Sequence, residues 1–221
     1  KNPKQSILVN VGTGSQISLF SEAYQKADAM ETRPLAENTF LLVGASLCGG
    51  RAYAILEQFF RSVVEMAGLS AGRLYPAMDK LSEAYETLED KLFISTQFSG
   101  TRENPSLRGF IQNLGIANFT PQHLIVGVLE GIVDELYQMY APLKPRTDQH
   151  SVLIGSGNGI RNSTVMQKMF AQKFNLPLCV PLHKEEAAYG AALSAMTACG
   201  FYSDIQQAQQ IIQYTQSRER S

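Results

Sequence analysis

Net charge is almost absent from this chain. Nineteen Lys and Arg against twenty Asp and Glu leave -1 over 221 residues, so no overall field draws it to nucleic acid or to an anionic membrane surface. Neither is expected as a partner. Cysteine is scarce as well: Cys48, Cys179 and Cys199 form an odd set without metal-type spacing. That favours reduced thiols packed as small hydrophobes, and a cytoplasmic protein, over a disulfide framework. Long apolar runs are missing; the most apolar stretch, 187–201, is broken by Gly190, Ser194, Thr197 and Gly200 and is too short to span a bilayer. There is no signal-peptide pattern and no initiator methionine, and a start on Lys1-Asn2-Pro3-Lys4 suits a piece of a larger protein. Ser/His/Asp and Cys/His arrangements are lacking, and His123, His150 and His183 share no ligand spacing. A self-contained catalytic constellation is therefore not expected.

What is present is a globular composition, 44% hydrophobic with scattered charge, and enough length to bury a core. Residues 6–11 alternate into a β-branched run, meet Gly12-Thr13-Gly14-Ser15, and resume at 16–20; this predicts a β-hairpin with a glycine-rich tip. The tip admits two readings, an anion nest of backbone N–H groups and the Thr13 and Ser15 hydroxyls or plain turn chemistry. It is not a Walker loop, because no Gly-Lys-Ser/Thr follows. Residues 31–38 read as a polar loop and 39–45 as a third strand. A helix over 52–67 has Ile55, Leu56, Phe59, Phe60, Val63 and Met66 at core spacing. A more polar helical segment covers 74–88, and 93–97 is a weak strand. The loop 99–109 either presents Arg102 and Arg108 to an anion or is tied down by them.

The helix over 121–140 opens behind Thr120 with proline at its first position. Its apolar face is core, and from 126 onward it could serve a homodimer equally well. After a polar connector at 144–149 comes a strand over 151–154 and three glycines in five residues, Gly155, Gly157 and Gly159. Asn162 or Ser163 is suited to cap the next helix, to 174. Backbone this bare beside a helix start is a place for a nucleotide to approach, or simply a tight turn. A short strand at 178–180, a helix over 185–199, a last helix over 204–214 and a charged tail at 217–221 follow. In the helix over 185–199, Ala187, Gly190 and Ala191 share a face that would admit a neighbouring helix or a planar ligand.

Three segments in this order resemble the second domain of the FGGY carbohydrate kinases. Asn10-Val11-Gly12-Thr13-Gly14-Ser15 is similar to the family's second phosphate-binding hairpin. Arg108 to Leu114, with His123-Leu124 and Gly127 to Gly131 downstream, is similar to its C-terminal signature, departing at Asn113, where glycine is usual, and at Gly127, where alanine or serine is usual. The stretch from Leu153 to Gln167, together with Glu186 to Ala192, resembles the adenosine-binding motif and the helix beside the adenine. The longer glycine turn is that of the sedoheptulose-kinase-like branch.

The resemblance implies an α/β fold of the actin-like ATPase, ribonuclease-H-like kind, a mixed sheet flanked by helices. Residues 1–221 would be the C-terminal nucleotide-binding domain of a two-domain sugar kinase, with a helical insertion at about 68–92 and the N-terminal domain absent. ATP with Mg²⁺ would lie between the domains. Gly12, Thr13 and Gly14, with Ser15 beside them, would meet the terminal phosphates, and Gly155, Ser156, Gly157, Asn158 and Asn162 the adenosine side. The missing N-terminal domain and a sugar, a ketose or polyol such as sedoheptulose, are the implied partners. In the family a first-domain aspartate just before the hairpin takes the proton from the sugar, and residues 1–5 hold no acid, so the chain alone is expected to be inactive. The competing reading is a non-catalytic actin-like nucleotide-binding module. A dinucleotide-binding dehydrogenase fits poorly, because Gly155-x-Gly157-x-Gly159 has the wrong spacing and no acid ends the strand at 178–180.

Overall fold

The computed structural model describes residues 1–35, 38–146 and 150–215. β1 (Ser6–Val11) and β2 (Ser15–Ser21) form the hairpin, with Val11 opposite Ser15. Their alternation turns Ile7, Val9, Val11, Ile17 and Leu19 into the core. β4 (Phe40–Ser46) pairs with β2, and β3 (Glu31–Pro34) extends the sheet beyond it. A polar loop was expected at β3. The strand is real but lies at the sheet's edge, where charged residues and proline are tolerated because one side of the backbone needs no partner, so no apolar alternation marks it.

β7 (Val152–Ser156) runs parallel to β1, and β8 (Leu178–Cys179) parallel to β7. The order β3-β4-β2-β1-β7-β8 is the mixed sheet expected of a ribonuclease-H-like core. A separate two-stranded sheet joins β5 (Phe93–Ile94) to β6 (Ile111–Gln112). Only two residues of the expected strand at 93–97 pair, and β6 is too short to carry a period. Next to it, Asn113 has φ +63° and donates through Nδ2 to Lys91 O at 2.9 Å; asparagine is among the few residues that tolerate this left-handed backbone, which accounts for its standing where the family uses glycine.

α3 (Pro121–Tyr140) is the central helix, lying against β2 and β4 and flanked by α1 (Gly49–Met66) and α5 (Thr164–Phe174). Thr120 caps it, accepting from His123 N–H. Ile125, Ile132 and Leu136 are fully buried, each contributing about 1.5–3 kcal/mol relative to exposure; their face is core here. α1 corrects the sequence reading of its apolar face. Ala52 and Leu56 are buried and Phe60 packs beside them, but Ile55, Phe59, Val63 and Met66 are exposed. The six predicted positions wrap more of the helix than one neighbour can cover.

α2 (Tyr75–Ser82) is shorter than the helix expected over 74–88, which continues as hydrogen-bonded turns. α4 (Asn158–Arg161) is a single turn ahead of α5, whose N-cap is Ser163, accepting from Met166 N–H at 3.1 Å. α6 (Glu186–Ala198) and α7 (Ile205–Gln209) end the chain. The last helix stops well before residue 214 because Tyr214 bridges to Pro181, and Thr215 N–H donates to Val180 O at 2.9 Å. Most of the polar loop at 31–38 is described, whereas part of the connector at 144–149 and the tail at 217–221 lie outside the described residues. Cys48 and Cys179 are buried free thiols and Cys199 is an exposed one.

Candidate functional site

The hairpin tip is closed by Gly12 N–H donating to Gly14 O at 2.9 Å. Its carbonyls face the first turn of α1: Gly12 O accepts from Gly50 N–H at 2.9 Å and Thr13 O from Arg51 N–H at 3.0 Å. The N–H groups of Thr13 and Gly14 meet no backbone acceptor among the described residues. The tip thus commits its acceptors to the protein and keeps two donors without a backbone partner among the described residues, as an anion nest requires. Docking this close requires glycine at the helix start, since a Cβ on Gly50 would sit 2.4 Å from Gly12 O. That explains why α1 begins three residues before the helix predicted from apolar spacing.

The β7–α4 turn presses on the same hairpin. Gly157 has φ +82°, and a Cβ there would lie 2.6 Å from Val11 O. Asn10 Nδ2 donates to Ser156 Oγ at 3.0 Å. With Ser163 serving as the α5 cap, Asn162 keeps its side chain exposed beside Asn158. A third tie brings in α6: Arg161 donates to Pro181 O at 2.9 Å and His183 O at 2.7 Å and pairs with Glu186. Burial and hydrogen bonding place this arginine between turn and helix, a role no motif announced.

These segments enclose a cleft of about 1070 Å³. Of the nine predicted residues, Gly12, Thr13, Gly157, Asn158 and Asn162 line it. Gly14, Ser15, Gly155 and Ser156 lie outside that lining; Ser15 and Ser156 are buried, and Ser15 Oγ has no hydrogen-bond partner among the described residues. The opposite wall, Arg51, Tyr53, Arg73, Tyr75 and Asp79, comes from α1, α2 and the segment joining them. None of these five was singled out as a site residue from sequence, because each stands in a polar or helical context without a motif. Tyr53 donates to Asp79 Oδ1 at 2.9 Å; burial, with the Asp79 carboxylate beside it, pushes its phenol well above the usual range and keeps it protonated. Lys184, Glu185 and Glu186 close the end near α6.

Other candidates resolve differently. Arg102 pairs with Glu31 at 2.7 Å and Arg108 donates to Pro105 O and Leu107 O, so both tie down their own surroundings. A Cβ on Gly190 would meet nothing within 4 Å; no described residue packs on that small-residue face. His123 bonds Thr120 and Glu89 O, and His183 stacks on Tyr189 with centroids 3.8 Å apart. No group of three His, Cys, Asp or Glu able to hold a metal exists among the described residues. No described helix is long and apolar enough to cross a membrane.

The sheet order and its flanking helices are those of the actin-like ATPase fold. The profile described as "FGGY family of carbohydrate kinases, C-terminal domain" matches residues 7–199, and the chain belongs to that family. A gluconokinase of Bacillus licheniformis is 26% identical over 203 residues, covering 89% of this chain and 39% of that protein. A glycerol kinase of Rhodopseudomonas palustris (strain BisA53) is 27% identical over 190 residues, 79% of this chain and 37% of its own length. In structure, gluconate kinase from Lactobacillus acidophilus superposes with a TM-score of 0.81 at 18% identity, over 97% of this chain and 42% of that one. The chain thus spans about two fifths of the relatives it matches. None of these comparisons singles out the sedoheptulose-kinase branch.

Proposed function

We propose that this chain is the ATP-binding half of a carbohydrate kinase that transfers the γ-phosphate to a sugar hydroxyl. The supporting observation is convergence: the hairpin tip with two N–H donors unpartnered among the described residues, the asparagines of the β7–α4 turn and the start of α6 all reach one cleft. Thr13, through its N–H and hydroxyl, and Gly14, through its N–H, hold the terminal phosphates, with Gly12 leaving room for them and Ser15 beneath the tip. A Cβ on Gly12 would meet no protein atom within 3.8 Å, so the space at this glycine is left for ligand. Gly157, Asn158 and Asn162 lie along the adenosine, and Gly155 and Ser156 set that turn from below. Most of the rate in such a transfer comes from positioning and charge stabilisation, and this chain supplies the nucleotide's share.

Mg²⁺ belongs to the proposal as a companion of the phosphates. The described side chains gather no ligand set for it, so no step is assigned to it here. Residues 1–221 form the C-terminal domain, with its insertion at about 68–92. A preceding N-terminal domain contributes the aspartate base and most of the sugar pocket. The acceptor is a ketose or polyol, sedoheptulose being the first to test. Calorimetry of the chain with ATP tests the site: Thr13→Ala and Asn158→Ala are each expected to weaken binding by roughly tenfold, the worth of a charge-assisted or buried hydrogen bond. Wild-type affinity in both variants overturns the assignment.

A further inference from the structure

Seven arginines lie in the described part of the chain with their side chains placed, and five of them have protein partners. Arg33 and Arg102 pair with Glu31, Arg61 with Glu57, Arg161 with Glu186, and Arg108 with two carbonyls. Arg51 and Arg73 alone make no side-chain hydrogen bond or ion pair among the described residues, and both line the cleft. Folding gives no reason to place two unpaired guanidinium groups in one concavity, where like charges repel. An anionic ligand does.

We propose that Arg51 and Arg73 form a cationic clamp for the polyphosphate of the bound nucleotide, an inference that rests on the nucleotide reading above. Arg51 follows directly on the docked glycine pair, and its own N–H holds Thr13 O at 3.0 Å. Its side chain therefore starts immediately behind the hairpin tip, whose Thr13 and Gly14 N–H groups have no backbone acceptor among the described residues. Arg73 is placed by its neighbour: Leu74 N–H donates to Glu57 Oε1 at 3.0 Å, and Glu57 is buried. Two of the three carboxylates lining the cleft are committed, Asp79 to Tyr53 and Glu186 to Arg161, and the third, Glu185, stands at the α6 end. A guanidinium can hold two phosphate oxygens at once and remains charged at any working pH. Affinity should accordingly follow the number of phosphates.

The test is titration of the chain with ATP, ADP and adenosine, in wild type, Arg51→Gln, Arg73→Gln and the double variant. ATP affinity is expected to fall roughly ten- to a hundredfold with each substitution. Adenosine affinity and the melting temperature should stay at wild-type values, since neither guanidinium has a protein partner. The salt dependence of ATP binding should flatten in the double variant, and Arg51→Lys, with charge but no fork, should fall between. Unchanged ATP affinity overturns the clamp, as does a parallel loss of ATP and adenosine, which would mark a structural role. A wild-type chain that binds neither ligand removes the nucleotide reading itself and the clamp with it.

Discussion

Gly12 and Gly50 share one hydrogen bond across the hairpin–helix junction, yet a methyl group should act oppositely at the two. At Gly50 it would sit 2.4 Å from Gly12 O, a backbone atom that cannot turn aside. Alanine gains about 1 kcal/mol in helix propensity, but overpacking costs about 1–3 kcal/mol, and a 2.4 Å contact belongs at the upper end of that range. Gly50→Ala is expected to lower the urea midpoint of unfolding. At Gly12 the nearest atoms are 3.8 Å away, so Gly12→Ala should leave the midpoint near wild type while weakening ATP binding, because the methyl group enters the cleft. Equal midpoints in the two variants would contradict the docked geometry. Both glycines are visible in the sequence; that Gly50 is the one packed against backbone is decided by an atom 38 residues away, Gly12 O.

Among elements, α4 and α6 show how a short helix can be held without a core of its own. Leu193 is the one buried residue described in α6, so its position depends on Arg161 and the carbonyls of Pro181 and His183. Arg161→Met would strand those acceptors and Glu186 in a half-buried setting, at a cost of about 1–3 kcal/mol. Arg161→Lys should recover little, since one ammonium cannot reach three acceptors in a plane. Denaturant unfolding reads the cost, and amide exchange should localise it to α6; uniform protection with an unchanged midpoint would refute the tie. Strong periods were legible at this scale: the alternation of β1 and β2, the apolar face of α3, the N-cap at Thr120. Weak ones were not. β3 is an edge strand of Glu31, Thr32, Arg33 and Pro34, β6 pairs two residues, and α1 carries apolar residues on a face no described element covers.

At the scale of the whole molecule, the chain offers one wall of a site. If the base lies in another domain, as proposed, this chain should show no sugar-dependent ATP turnover, measured as ADP release across a panel of ketoses and polyols, whereas a full-length protein bearing this domain should turn over one of them. Sugar-dependent release by the chain alone would sink the proposed division of labour. The first hairpin, the strand at β7 and the glycine turns could be read from residue order, because alternation, helical spacing and turn chemistry are properties of neighbours along the chain, and the family from the resemblance of three motif segments. The cleft could not. Gly12, Thr13, Asn158 and Asn162 meet there because β1 and β7 are paired side by side, and Arg51 and Arg73 are left uncommitted because packing took every other described arginine's partner close to it. Pairing and neutralisation are settled by distance in space, which local pattern does not encode.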